Sequence, residues 1–232
     1  METAQPSSIR VLLVDDHQLL TDALAGLMRH TDDIEVVGVC GSLAAVSDAV
    51  QSASANVDVA LMDYLLPDGT GAEATRIVKR RWPSARVVML TAVADDETML
   101  DAVDAGIDGY LTKDRAGTDV VDAVRAAHAG EILLPHDVAV EIAHRVAGTR
   151  RAAARQIDIH DLTPRELEVL QALVEGRSSR DICASLYIAP NTLRTHVQNL
   201  LSKLRVHSKL EAVAYALRQQ LVDLPGNGAA AN

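Results

Sequence analysis

Along the first 130 residues, short unbroken apolar runs alternate with stretches whose apolar positions recur every three to four residues. Residues 9–14, 36–39, 57–62, 87–90 and 109–111 read as strands. The runs are continuous rather than alternating, as parallel strands covered on both faces require. Between them, residues 19–28, 44–53, 72–81, 97–105 and 119–129 carry helical periodicity. Five β-α units in order predict an α/β fold, a (βα)5 doubly wound parallel sheet. In such sheets ligands sit beyond the carboxyl ends of the strands.

The pattern changes after Gly130, which ends the last helix of this unit. Residues 137–147 suit one more short helix, and 149–155 lack an apolar stripe. The back half predicts a small all-α domain of four helices. Three begin with capping sequences, at Thr163-Pro-Arg-Glu166, Ser178-Ser-Arg-Asp181 and Ser208-Lys-Leu-Glu211. The remaining helix begins near Pro190 and runs to about Leu204, with Ala189 as a poor cap. Gly176 stands where a left-handed residue ends the first of the four. The expected domains are therefore 8–130 (α/β unit), 131–160 (linker), 161–220 (helical domain) and 221–232 (disordered tail).

A length of 232 residues fits two domains. Hydrophobic residues at 48% and charged residues at 23% exclude a largely disordered chain. No uncharged apolar run nears the ~18 residues of a membrane span, so no membrane partner is expected. Residues 1–8 show neither a basic region nor an apolar stretch, so no secretory signal is expected. Cys40 and Cys183 match no metal spacing and form no disulfide scaffold, which suits the cytoplasm. Charge is uneven. Residues 1–150 hold 12 basic and 24 acidic residues, while 151–232 hold 10 and 8. The stretch 182–210 contains no acid and four bases, Arg194, Lys203, Arg205 and Lys209. That suits either a solvated helix face or a nucleic-acid contact.

Asp15 and Asp16 follow the first strand, and Asp63 follows the third. If those strands are neighbours, three carboxylates converge and repel one another unless a cation neutralises them. Carboxylate and carbonyl oxygens with no His or Cys suit Mg2+. Thr91 and Lys113 lie at two further strand ends. A hydroxyl and an ammonium beside a metal–carboxylate site can stabilise a transferring phosphoryl group, with a carboxylate as nucleophile. The plain alternative is that Asp15 and Asp16 cap the next helix; Thr91 and Lys113 count against it.

The motifs Val14-Asp-Asp-His17, Met62-Asp-Tyr-Leu-Leu-Pro-Asp-Gly69, Leu90-Thr-Ala92 and Gly109-Tyr-Leu-Thr-Lys-Asp114 resemble the receiver domain of bacterial two-component response regulators. The resemblance implies that Asp63 accepts a phosphoryl group from a sensor histidine kinase. It implies Mg2+ held directly by Asp16, Asp63 and the Leu65 carbonyl, with Asp15 acting mainly through water. Lys113 would pair with phosphoryl oxygens, Thr91 would hydrogen-bond one of them, and Tyr110 would follow Thr91 inward as a switch. The first helix, 18–29, would face the kinase. Leu65 and Val93, two residues beyond Asp63 and Thr91, are apolar and would shield an acyl phosphate from water.

Residues 180–186, the turn Tyr187-Ile-Ala189 and residues 190–204 form a helix-turn-helix pattern. Asn191, Arg194, Thr195 and Gln198 share one face of the second helix; Leu193, Val197, Leu200, Leu201 and Leu204 share the opposite one. Arg and Gln can read base edges, while Lys and Thr mostly hold phosphates. The same pattern fits a generic amphipathic helix in a bundle. The wording, from Leu162-Thr-Pro-Arg-Glu166 through Asn191-Thr-Leu-Arg-Thr-His196 to Leu204, is similar to the LuxR-type DNA-binding domain.

Together the two halves resemble the NarL/FixJ family of response regulators. That implies a transcription regulator rather than an enzyme. Base-facing contacts would fall on Arg194, Thr195 and Gln198, with Asn191 on the same face. Phosphate contacts would fall on Ser178, Ser179, Thr192, His196, Lys203 and Lys209. The last helix, 209–219, would pair two DNA-binding domains, so the partners are DNA with an inverted-repeat operator, RNA polymerase, the kinase, and a second copy when phosphorylated. Ala189 and Gln198 depart from the family's usual Ser and frequent Lys, and Cys183 from its usual Ala. Two readings of other classes stay open: a phosphorylation-gated protein- or RNA-binding module, and a Mg2+-dependent phosphatase.

Overall fold

The computed structural model describes residues 8–53, 56–91, 96–133, 162–219 and 221–222, without the side chains of 91, 96, 97, 114–118 and 218. The expected helix at 137–147, the stretch 149–155 and the tail at 225–232 lie outside the described residues.

The first unit is a five-stranded, all-parallel sheet in the order β2-β1-β3-β6-β7. Its strands are β1 (Ile9–Val14), β2 (Ile34–Cys40), β3 (Val59–Asp63), β6 (Arg86–Thr91) and β7 (Gly109–Thr112). The helices α1 (Gln18–Met28), α2 (Leu43–Ser52), α3 (Gly71–Arg81), α4 (Asp96–Asp104) and α5 (Lys113–His128) alternate with them. A short antiparallel hairpin, β4 (Leu65–Leu66) with β5 (Gly69–Thr70), follows β3 and was not foreseen.

Every residue of β3 is buried, which explains its unbroken apolar run. The edge strand β2 behaves differently: Glu35, Val37 and Val39 are exposed, and only its ends, Ile34 and Cys40, are buried. One core layer joins Leu13, Leu61 and Leu90 of the sheet to Leu24 and Met28 of α1 and Val120 and Val124 of α5. With no Phe in the chain, Leu, Val, Ile, Ala and Met fill this space.

Local chemistry fixes the helix starts. Ser42 accepts from the Ala45 N–H, and Thr70 forms a capping box with Glu73. Helix α5 begins six residues earlier than the periodicity suggests, because Lys113-Asp-Arg-Ala-Gly-Thr118 has no apolar stripe to announce it. Past α5 the chain returns to the sheet: Leu133 forms an isolated parallel bridge with Gly109, and the Tyr110 N–H donates to the Leu133 carbonyl at 2.6 Å. The boundary between the two compact units falls between Leu133 and Leu134, inside the stretch read as linker.

Four helices are described in the second unit: α6 (Pro164–Val174), α7 (Ser179–Leu186), α8 (Pro190–Leu204) and α9 (Lys209–Arg218). Thr163 and Glu166 form the foreseen capping box, and Ser178 and Ser208 cap α7 and α9. Ala189 gives α8 no side-chain cap, and Pro190 opens the helix in its place. Gly176 takes the left-handed conformation, at φ +70°. Tyr187 and Arg205 also take it, ending α7 and α8 without a glycine. Among the described residues no helix is long and apolar enough to cross a membrane.

Candidate functional site

Because β1 and β3 are neighbours, Asp15 and Asp16 arrive beside Asp63. Asp15 and Asp63 are 4% and 3% exposed, while Asp16 and His17 face solvent. Asp15, Asp16, His17 and Asp63 each offer a ligand atom, all within 4.8 Å of one another. Neither aspartate caps α1. The cap position is His17, which makes no capping side-chain bond. The carboxylates therefore serve the site and not the helix.

Lys113, the first residue of α5, enters from the far side of β6. Its Nζ lies 2.6 Å from Asp63 Oδ2 and 2.7 Å from Asp15 Oδ2. Burial alone would lower the Lys113 pKa, but hydrogen bonds to Asp15 and Asp63 leave it raised. Burial raises the Asp63 carboxyl, Asp15 adds repulsion, and Lys113 and the Leu65 N–H only partly offset them. Three carboxylates against one ammonium leave an excess of negative charge. Packed oxygen donors with an exposed side fit a hydrated Mg2+.

Thr91 ends β6 beside Thr112 of β7, and its side chain lies outside the described residues, as does Val93. Tyr110 is 3% exposed, with its ring already inside the unit. Leu65 is 65% exposed beside the site, and its N–H is bonded to the Asp63 carboxylate.

Several residues support the site in ways the sequence does not show. A Cβ on Gly71 would stand 2.2 Å from the Asp63 carbonyl oxygen, so only glycine lets α3 start this close. Asp68 accepts from the Leu43 and Ala44 N–H groups at 2.6 and 2.9 Å, tying the loop after β3 to α2. Tyr64, next to Asp63, donates to Asp101 of α4 at 3.3 Å, and Arg76 donates to the same carboxylate at 2.8 Å. The last three partners lie 24 to 37 residues apart in sequence, beyond any local pattern.

In the helical unit, Asn191, Thr192, Arg194, Thr195 and Gln198 are exposed, and His196 is half-buried. Leu193, Val197, Leu200 and Leu204 are buried on the opposite side, with Leu201 half-buried. The Thr195 hydroxyl donates back to the Asn191 carbonyl at 3.1 Å. Ser178 Oγ is engaged as the α7 cap. Lys209 Nζ lies 3.4 Å from the hydroxyl of half-buried Ser179.

Lys203 is differently placed: its Nζ is 2.7 Å from the carboxylate of Glu166, which is 3% exposed. Burial would raise the Glu166 pKa, but bonds from Lys203 and Thr163 hold it below the usual glutamate range. The sequence shows Glu166 as a capping residue; its ion pair, 37 residues away, it does not show. In α9, Leu210, Ala212, Val213, Ala214, Ala216 and Leu217 are buried within one chain, whereas Glu211 and Tyr215 are half-exposed.

Residues 11–125 match the response regulator receiver domain, and residues 160–216 match the bacterial regulatory proteins of the luxR family. Response regulator protein VraR of Staphylococcus epidermidis is 36% identical over 216 residues, covering 93% of this chain and 99% of that protein. VraR of Staphylococcus aureus shares the same identity and coverage. A crystal structure of a LuxR-family two-component response regulator from Aurantimonas sp. is similar with a TM-score of 0.53 at 29% identity, over 60% of this chain and 98% of that one. The Salmonella typhimurium RcsB response regulator shares the fold, with a TM-score of 0.52 at 23% identity over 90% of this chain and 98% of that one.

Proposed function

The chain belongs to the two-component response regulators that join a receiver domain to a LuxR-type domain, and from that we propose that Asp63 is its phosphoacceptor and that phosphorylation there controls sequence-specific DNA binding. The family is one of transcription regulators, not of enzymes. The observation that carries the assignment is the position of Asp63: buried at the carboxyl end of β3, between Asp15 and the Lys113 ammonium.

An Asp63 carboxylate oxygen bonds to the phosphorus of a phosphohistidine on the sensor kinase, and the P–N bond breaks as the donor imidazole leaves. Lys113 Nζ, 2.6 Å from Asp63 Oδ2, is within reach of the phosphoryl oxygens. Asp16, Asp63 and the Leu65 carbonyl would hold Mg2+, with Asp15 acting mainly through water; the ion would supply charge neutralisation for those oxygens. The Thr91 hydroxyl would bind a phosphoryl oxygen, and Tyr110, already buried, would act as the switch. Helix α1 faces the kinase. The boundaries 8–130, 131–160, 161–220 and 221–232 divide these tasks.

In the helical domain α8 enters the major groove. Arg194, Thr195 and Gln198 face bases beside Asn191, while Ser178, Ser179, Thr192, His196, Lys203 and Lys209 approach phosphates. The exposed polar face of α8 and the acid-free stretch 182–210 support this reading. The phosphorylated chain acts as a homodimer on an inverted repeat and works with RNA polymerase in the cytoplasm; the free thiols Cys40 and Cys183 suit a reducing compartment. Among the described side chains of α9, the half-exposed Lys209, Glu211 and Tyr215 are the ones it offers a second copy.

The test is retention of genomic DNA fragments by the full chain, with and without a small-molecule phosphodonor and Mg2+. The donor is expected to raise wild-type affinity and leave Asp63→Asn unchanged. Equal binding by both proteins under all conditions overturns the regulatory role of Asp63.

A further inference from the structure

Among the groups at the strand ends, His17 is the one that the phosphoryl chemistry does not use. Its Nδ1 lies 2.9 Å from Asp16 Oδ1 and 3.0 Å from Asp15 Oδ1. Its backbone N–H donates to the same Asp15 oxygen at 2.8 Å. The ring is 68% exposed, so packing does little to fix it, and its side chain does not cap α1. What orients the imidazole is the carboxylate pair.

The two aspartates differ in what else they touch. Asp15 has Lys113 on Oδ2 and His17 on Oδ1, so both its oxygens are engaged. Asp16 Oδ1 lies 2.9 Å from the same ring nitrogen that hydrogen-bonds Asp15, close enough to share its proton, and the Asp16 side chain is 40% exposed. A solvated carboxylate must give up rotamer freedom to bind an ion. A donor on one of its oxygens removes that cost beforehand, as outer-shell partners of metal ligands do.

We propose that His17 is a positioning residue of the Mg2+ site: Nδ1 fixes the Asp16 carboxylate through Oδ1 and leaves Oδ2 to the ion. This rests on the metal reading given above. It does not require His17 to touch the metal. It predicts that the group that matters is a single donor at the Nδ1 position. An asparagine side chain can supply that donor, because its amide nitrogen occupies the place of Nδ1 at the same distance along the side chain.

The experiment is titration calorimetry of the unphosphorylated full chain with MgCl2, comparing wild type, His17→Ala, His17→Asn and Asp16→Asn. The expected result is a loss of about tenfold in Mg2+ affinity for His17→Ala, the lower end of outer-shell effects, with most of it recovered in His17→Asn. Unchanged or tighter binding by His17→Ala overturns the proposal, since the ring then merely crowds the site. A loss that asparagine does not recover also overturns it, because the imidazole itself is then required. If wild type shows no Mg2+ uptake that Asp16→Asn abolishes, the metal reading fails instead.

Discussion

Lys113 and Asp63 meet at 2.6 Å although β7, which Lys113 follows, and β3, which Asp63 ends, are separated by β6. The contact exists because both residues stand at carboxyl ends of parallel strands, where one ammonium can serve two carboxylates. It does not fully compensate Asp63, whose carboxyl is raised by burial and by Asp15. The site is therefore electrostatically costly to the fold.

That cost predicts a stability gain on removing the Asp63 charge. A carboxyl whose folded pKa is raised stabilises the fold where it is protonated, and that contribution is lost as pH rises through the folded value. Asp63→Asn should melt at a higher temperature than wild type at neutral pH in EDTA. The gap should close in acid, where wild-type Asp63 is itself protonated. Thermal melts of both proteins at the two pH values check this; a variant that melts lower at neutral pH contradicts it.

Gly71 is required by a different kind of closeness. Its missing Cβ would sit 2.2 Å from the Asp63 carbonyl oxygen, a backbone atom that cannot swing away. Gly71→Ala should cost at least ~2 kcal/mol, of the order of overpacking a core, and displace Asp63 from Lys113. Chemical denaturation gives the first effect and the rate of labelling by a phosphodonor the second. Wild-type stability would show that α3 can shift freely.

Asp101 holds α4 to the loop after β3 and to α3, through Tyr64 and Arg76. Asp101→Ala should loosen α4 with little effect on the sheet, because the carboxylate lies outside the core. Hydrogen exchange should rise for the amides of residues 98–104 and stay unchanged in β1 and β3. Equal protection of α4 in both proteins would mean that packing alone, through Met99, Ala102 and Val103, secures the helix.

The sheet and the acidic cluster were legible because each depends on local pattern: an apolar run marks a strand, and the residue after it marks the strand end. The fully buried strand β3 was easy to read for that reason, and the edge strand β2 less so, since only its ends are buried. The hairpin of β4 and β5 is too short for any periodicity. The roles of Asp68 and Asp101 escaped because their partners come from distant segments, and that of Gly71 because the close approach to Asp63 follows from the tight turn into α3, which leaves no mark in the pattern. His17 stood within a quoted motif, but only the fold shows its ring turned to Asp15 and Asp16.

Glu166 illustrates the same limit in the helical unit, and its pH dependence is the reverse of that of Asp63. Its folded pKa is depressed, so its contribution is present above the ordinary glutamate range and lost as pH falls through the folded value. Glu166→Ala removes the reciprocal cap and the Lys203 pair together and should cost roughly 3 kcal/mol. Glu166→Gln keeps an acceptor for the Thr163 N–H and should cost less. Denaturant melts of the full chain, followed by a probe in residues 162–219, separate the two; equal losses would assign the whole effect to charge.

The same ion pair sets Lys203 apart from a free surface cation. Lys203 would approach a phosphate while already bound to the buried carboxylate of Glu166. A cation neutralised within the protein releases few counterions when DNA binds. Lys203→Gln should therefore leave the slope of log affinity against log salt nearly unchanged while lowering domain stability. Arg194→Ala, on the exposed face of α8, should instead cost about 1–3 kcal/mol on the preferred sequence and narrow the gap to random DNA. Binding measured over a salt series on specific and random fragments distinguishes the two. A slope lowered by about one in Lys203→Gln would mean that the Glu166 pair opens when DNA binds.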